Sequence, residues 1–97
     1  MRFEWDKQKD ADNQAKHGVS FEEVRELFTS GQDYLELYDE VHSTFEDRFM
    51  VIGLVSRGLA VVLMTERDDD IIRIISARWA TTREQRMYNE YMERRHD

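Results

Sequence analysis

The chain contains no cysteine and no proline, and only three histidines and four glycines. Without cysteine there is no disulfide and no thiolate to ligate a metal. His17, His42 and His96 are scattered and match no usual metal-ligand spacing, so no metal site and no cofactor is expected. No proline-rich, repetitive or low-complexity stretch suggests a linker. No apolar run is long enough to span a bilayer; the Val61–Met64 run is short and reads as part of a strand. The amino-terminal residues MRFEWDKQKD lack the apolar core of a secretory signal, and the expected location is the cytoplasm.

What is present is charge. Of 97 residues 36% are charged and 40% hydrophobic, as in a soluble globular protein, and a single domain over residues 1–97 is expected. The net charge of −7 argues against non-specific nucleic-acid binding, which runs on excess Lys and Arg. The distribution softens that exclusion. Eleven of the fourteen basic residues are Arg, mostly beyond position 47, while acid gathers in residues 22–26, 33–47 and 68–70. A local basic patch on an acidic protein is therefore compatible with the composition.

The order of elements follows from local signals. Phe3-Glu4-Trp5 alternates like a short strand, and Asp6 is a helix N-cap before a polar helix over residues 7–16. Ala11 and Ala15 are its only small apolar positions and are expected to dock it, with Gly18 as the left-handed residue past its end. Ser20 and Glu23 form a capping box, Val19 and Val24 a hydrophobic staple, and Phe21, Val24, Leu27 and Phe28 the apolar stripe of a second helix ending at Gly31. Residues 33–39 alternate as a strand. Residues 48–78 then hold three apolar runs separated by turns at 56–58 and 67–70, an antiparallel meander. Thr81 or Thr82, with Glu84, caps a last helix to about Arg95, whose apolar face is Met87, Tyr88, Tyr91 and Met92. The expected fold is α+β, in the order β-α-α-β-β-β-β-α, with an antiparallel sheet and helices packed on it.

Arginines punctuate the meander. Arg48, Arg67 and Arg78 stand at ends of apolar runs, and Arg73 lies inside one. A strand core excludes guanidinium, whereas a phosphate-gripping surface favours its planar fork of donors. Antiparallel connectivity places Arg48 near Arg67 at one end, and Arg78 near Arg57 at the other. The plainer alternative for each is a surface ion pair, and it is favoured for Arg57 and Arg73.

Several segments carry a family resemblance: WDKQKDADNQAKHGVSFEEV (5–24), DEVHSTFEDRFMVIGLVSRG (39–58) and TERDDDIIRIISARWATTREQRMYNE (65–90). In order and spacing they resemble the BrnT family, small toxins of type II toxin–antitoxin pairs. The resemblance implies a RelE-like ribonuclease fold, mRNA as substrate, and a ribbon-helix-helix, BrnA-like antitoxin as the neutralising partner. Two departures are Met64, where related sequences often carry Tyr or His, and the strong net acidity.

Cleaving RNA without a metal requires a base for the ribose 2′-OH, an acid for the departing 5′ oxygen and cations for the phosphorane-like transition state. Arg67 and Arg78 are the cationic candidates, with Arg48 and Arg73 as further substrate contacts. His42, in a loop beside the sheet, suits proton transfer, and Glu46 and Glu66 are candidate bases. Trp79, directly after Arg78, is the aromatic singled out for an exposed contact with RNA; the others read as core. His17 is expected to close the first helix near its C-terminal dipole, and His96 lies at the terminus. Asp68–Asp70 read as a solvated turn, without the spacing of a calcium loop. The competing function is a non-catalytic module derived from such a toxin, which docks a partner chain through the sheet and last helix.

Overall fold

The computed structural model describes residues 1–95; His96 lies outside them. Strand β1 (Arg2–Glu4) leads into α1 (Lys7–His17), and two short helices follow, α2 (Phe21–Val24) and α3 (Glu26–Thr29). Then come β2 (Leu35–Tyr38), β3 (Phe49–Val55), β4 (Gly58–Arg67) and β5 (Ile71–Trp79), before α4 (Thr82–Arg95). The single second helix expected from the sequence is divided at Arg25, which itself keeps right-handed helical angles, so its apolar stripe is preserved.

The five strands form one sheet in the order β1-β5-β4-β3-β2. β3 to β5 are the expected antiparallel meander, and β2 adds to it antiparallel to β3. β1, however, runs parallel to β5, with Phe3 opposite Ile72. The sheet is therefore mixed, and the wholly antiparallel expectation is corrected. The direction follows from what comes next in the chain: a parallel β1 lets α1 turn back and lie along β5, where Phe3 also reaches the ring of Phe28 at 5.8 Å.

Each sheet face buries its own core. The inner face packs Val51, Val62, Met64 and Ile74 against Val19, Phe21, Val24 and Leu27 from the first helices. The outer face packs Leu35, Ile52 and Val61 against Tyr88 of α4, with Met87, Tyr91 and Met92 around it. Gly53 lets the helical layer approach closely: a Cβ there would lie 2.8 Å from Leu27 Cγ and 3.0 Å from Tyr34 Cβ.

The docking of α1 differs from expectation. Ala11 and Ala15 are exposed, and Asn13 is the buried residue of the helix. β1 pairs only with the first residues of β5, so the rest of that strand's edge needs another partner. Asn13 Oδ1 accepts from the Ala77 backbone N–H at 3.1 Å, and its amide donates to the Val19 carbonyl at 3.0 Å. Asp10 Oδ1 accepts from the Phe21 N–H at 2.9 Å. α1 thus docks by satisfying backbone groups, a purpose small apolar side chains cannot serve. Among the described residues no helix is long and apolar enough to cross a membrane.

Candidate active site

One irregularity in register decides which side chains meet. Leu63 pairs with Ser76 but Met64 pairs with Ile74, leaving Ile75 as an extra residue in β5. Side chains alternate along a strand, so one extra residue reverses the faces of everything beyond it. Ile72 and Ile74 consequently enter the inner core, and Arg73 turns to the outer face opposite Thr65. Glu4, aligned with Arg73, and Arg67, two residues beyond Thr65, share that face. Arg48, one residue before the inner-facing Phe49, joins them by the same alternation.

The outer face therefore carries Arg48, Arg67 and Arg73 at one end of the sheet, all partly exposed. Arg67 Nη1 and Arg73 Nη1 both point at a single oxygen, Glu4 Oε1, at 2.8 and 3.6 Å. Two guanidinium groups converging on one carboxylate oxygen form a geometry that a phosphate oxygen can share. Arg48 Nη2 lies 3.6 Å from Glu46 Oε1, and its Nε is buried with no hydrogen-bond partner among the described residues. These are partly exposed, weak pairs that a polyanion can displace.

The loop between β2 and β3 closes over this end. His42 Nδ1 lies 2.8 Å from Asp39 Oδ2, and the His42 N–H donates to Asp39 Oδ1 at 3.3 Å. The carboxylate engages the imidazole through Nδ1, and Nε2 has no hydrogen-bond partner among the described residues. Four further hydrogen bonds fix the loop. The Ser43 hydroxyl accepts from the Arg48 N–H at 2.9 Å and donates to the Asp39 carbonyl. The Tyr38 hydroxyl reaches Asp47 Oδ1 at 3.1 Å, and Thr65 Oγ1 donates to the Asp47 carbonyl at 2.6 Å. Thr65, 2% exposed, is thus roofed by the loop that carries His42.

Other sequence-predicted residues lie elsewhere. Glu66 pairs with Ile72 and so belongs to the inner side of the sheet, away from the arginines. Partial desolvation, with the Glu66 charge adding to it, raises the carboxyl of Glu36 there. Arg78 is at the far end of β5, where its guanidinium grips Glu84 with both nitrogens, at 2.7 and 2.8 Å. That pairing, helped by the Thr81 N–H, holds the Glu84 carboxyl down at about 2. Trp79 packs against the inner core under the guanidinium of Arg57, 5.1 Å from its ring. Arg57 itself binds Glu23 and the Gly18 carbonyl. Met64 is a core residue at 1% exposure and does not belong to the arginine row. Among the described residues no group of three or more His, Asp or Glu side chains is placed to hold a metal ion.

Sequence reasoning missed the positions of Glu4 and Thr65 and the Asp39–His42 contact. The Asp39-x-x-His42 spacing was an available signal. Glu4 was not readable, because its neighbours come from β4 and β5, more than sixty positions on.

Comparison with known proteins gives a consistent result. Residues 5–84 match the family described as "Ribonuclease toxin, BrnT, of type II toxin-antitoxin system". The 1.1 Å crystal structure of the Brucella abortus ribonuclease toxin BrnT aligns with a TM-score of 0.67 and 27% sequence identity, covering 84% of this chain and 99% of that one. No curated protein matches the chain.

Proposed function

Because this chain belongs to the BrnT family of ribonuclease toxins of type II toxin–antitoxin systems, we propose that it is a metal-independent endoribonuclease, RelE-like in fold, that cuts mRNA. Its neutralising partner in this reading is a ribbon-helix-helix, BrnA-like antitoxin. The observation that carries the reading is the convergence of Arg67 and Arg73 on one oxygen position, beside Arg48 and the His42–Asp39 pair.

The chemistry follows from these groups. The ribose 2′-OH loses a proton and attacks the adjacent phosphorus. The P–O5′ bond breaks, and the departing oxygen takes a proton, leaving a 2′,3′-cyclic phosphate and a 5′-OH. Arg67, Arg73 and Arg48 stabilise the charge that builds on the non-bridging oxygens. His42, oriented by Asp39, transfers a proton through Nε2. Glu46, beside Arg48, is the carboxylate of this cluster available as its proton partner. Glu4 holds the two arginines in place until substrate displaces it. Glu66, Arg78 and Trp79 take no part in this reading, since the sheet separates the first from the cluster and the other two sit at the α4 junction.

The test is cleavage of a mixed mRNA by the purified protein in EDTA, beside Arg67→Ala/Arg73→Ala and His42→Ala. The wild type should generate 5′-OH ends, and each variant should lose roughly 10²-fold or more in rate while staying folded. Undiminished cleavage by the arginine variant would overturn the assignment. No cleavage by the wild type, on free or ribosome-bound mRNA, would favour a partner-binding module without chemistry.

A further inference from the structure

The end of the sheet beyond the arginine row has a different character. β2 ends there at Tyr38, β3 begins at Phe49, β4 ends at Arg67 and β5 begins at Ile71. The β2–β3 loop carries Asp39, Glu40, Glu46 and Asp47, and the β4–β5 turn carries Asp68–Asp70. Among the described residues, four of the five exposed large apolar side chains are at this same end: Phe45 at 100%, Val41 at 82%, Met1 at 66% and Tyr38 at 54%.

Here the loop is tied down by Ser43, Asp47 and Thr65, and the turn is held by Asp68 and Asp69 in the left-handed region, at φ 53° and 63°. Val41 and Phe45 lie on either side of Ser43 on this tied loop and are exposed. Exposed apolar anchors set among acidic side chains have the anatomy of a protein-docking surface. The sign of the charge selects the partner. Asp39, Glu46 and Asp70 are already paired with His42, Arg48 and the terminal amine, whereas Glu40, Asp47, Asp68 and Asp69 have no ion-pair partner among the described residues and favour a cationic chain beside the apolar tips.

We infer that this acidic, apolar-tipped end docks a basic amphipathic segment of the protein antitoxin, with Phe45 and Val41 as its anchors. This rests on the reading of the chain as a toxin with a protein antitoxin. It adds how neutralisation works: a segment seated on the loop covers His42, which is flanked in sequence by Val41 and, three residues on, by Phe45. Inhibition then requires no change in the arginine row.

The experiment measures binding of the cognate antitoxin to the wild type, to Val41→Ser/Phe45→Ser and to the charge-reversal variant Glu40→Lys/Asp69→Lys, with RNA cleavage measured on the same samples. Neither pair of residues belongs to the proposed catalytic machinery, and thermal melting confirms that each variant is folded. The apolar variant should bind roughly 100-fold more weakly, and the charge variant should bind more weakly with a reduced salt dependence. The free variants should cleave RNA like the wild type but resist neutralisation. Antitoxin binding unchanged in both variants overturns the inference and leaves the nuclease reading standing. Loss of RNA cleavage with antitoxin binding intact also overturns it, and assigns the anchors to RNA. Failure of the antitoxin to bind the wild type overturns it whatever the cleavage result. Weakened antitoxin binding by a protein that never cleaves RNA supports the docking surface and refutes the nuclease.

Discussion

Replacing Glu84 by Gln removes one charge from the junction between β5 and α4, and its effect on stability should depend on pH. In the folded protein Glu84 accepts both nitrogens of Arg78 and the Thr81 N–H, and its own N–H donates to Thr81 Oγ1. Its carboxyl is held at about 2, against an ordinary 4.5, chiefly by the Arg78 guanidinium. That difference corresponds to at most about 3.4 kcal/mol of linked stability. Arg78 is 39% exposed, and solvent screening reduces the figure to about 1–2 kcal/mol. The sign is set by the depressed folded-state value. The contribution is complete above pH 4.5 and is lost as pH falls from there towards 2. Urea denaturation of the wild type and Glu84→Gln at pH 7 should therefore differ by about 1–2 kcal/mol, and the gap should shrink steadily on titration below pH 4.5. A 97-residue domain should show the pH 7 difference as roughly 5–15 °C in Tm. Arg78→Ala should be similarly destabilised at neutral pH, and the double variant should cost less than the two single changes together. A gap that is the same at pH 3 and pH 7, or additive single variants, would refute the pairing. Loss of RNA cleavage by a still-folded Arg78→Ala would return Arg78 to the active site.

Two substitutions probe the layers that position the site. Asn13→Ala strips the Ala77 N–H and the Val19 carbonyl of their partners and should cost about 2–4 kcal/mol in urea denaturation; a loss of only a few tenths would mean water replaces the amide. Gly53→Ala drives a methyl into Leu27 Cγ at 2.8 Å and should cost about 1–3 kcal/mol, partly recovered by adding Leu27→Ala; an unchanged urea midpoint would show that the helical layer moves aside.

Most local structure was legible along the chain because it depends on neighbours in sequence. Asp6 and Ser20 cap their helices as expected, accepting from the Lys9 and Glu23 N–H groups. The Thr81–Glu84 box forms, and the turns of the meander fall where Gly58 and the aspartates indicated. The α+β class follows, and the family is carried by ordered motifs that need no coordinates to compare. The division of labour among the arginines was not legible. Arg67 and Arg78 look alike in sequence, each ending an apolar run, yet one shares a carboxylate with Arg73 and the other is clamped to a helix.

The elements, their caps and the family can be read along the chain, since they rest on contacts within a few residues or on ordered motifs. The parallel direction of β1, the docking of α1 through Asn13 and the outward turn of Arg73 at the extra residue Ile75 arise from packing between distant segments. Each of those depends on which strand lies beside which and in what register, and a one-residue difference in register exchanges the two faces of a strand.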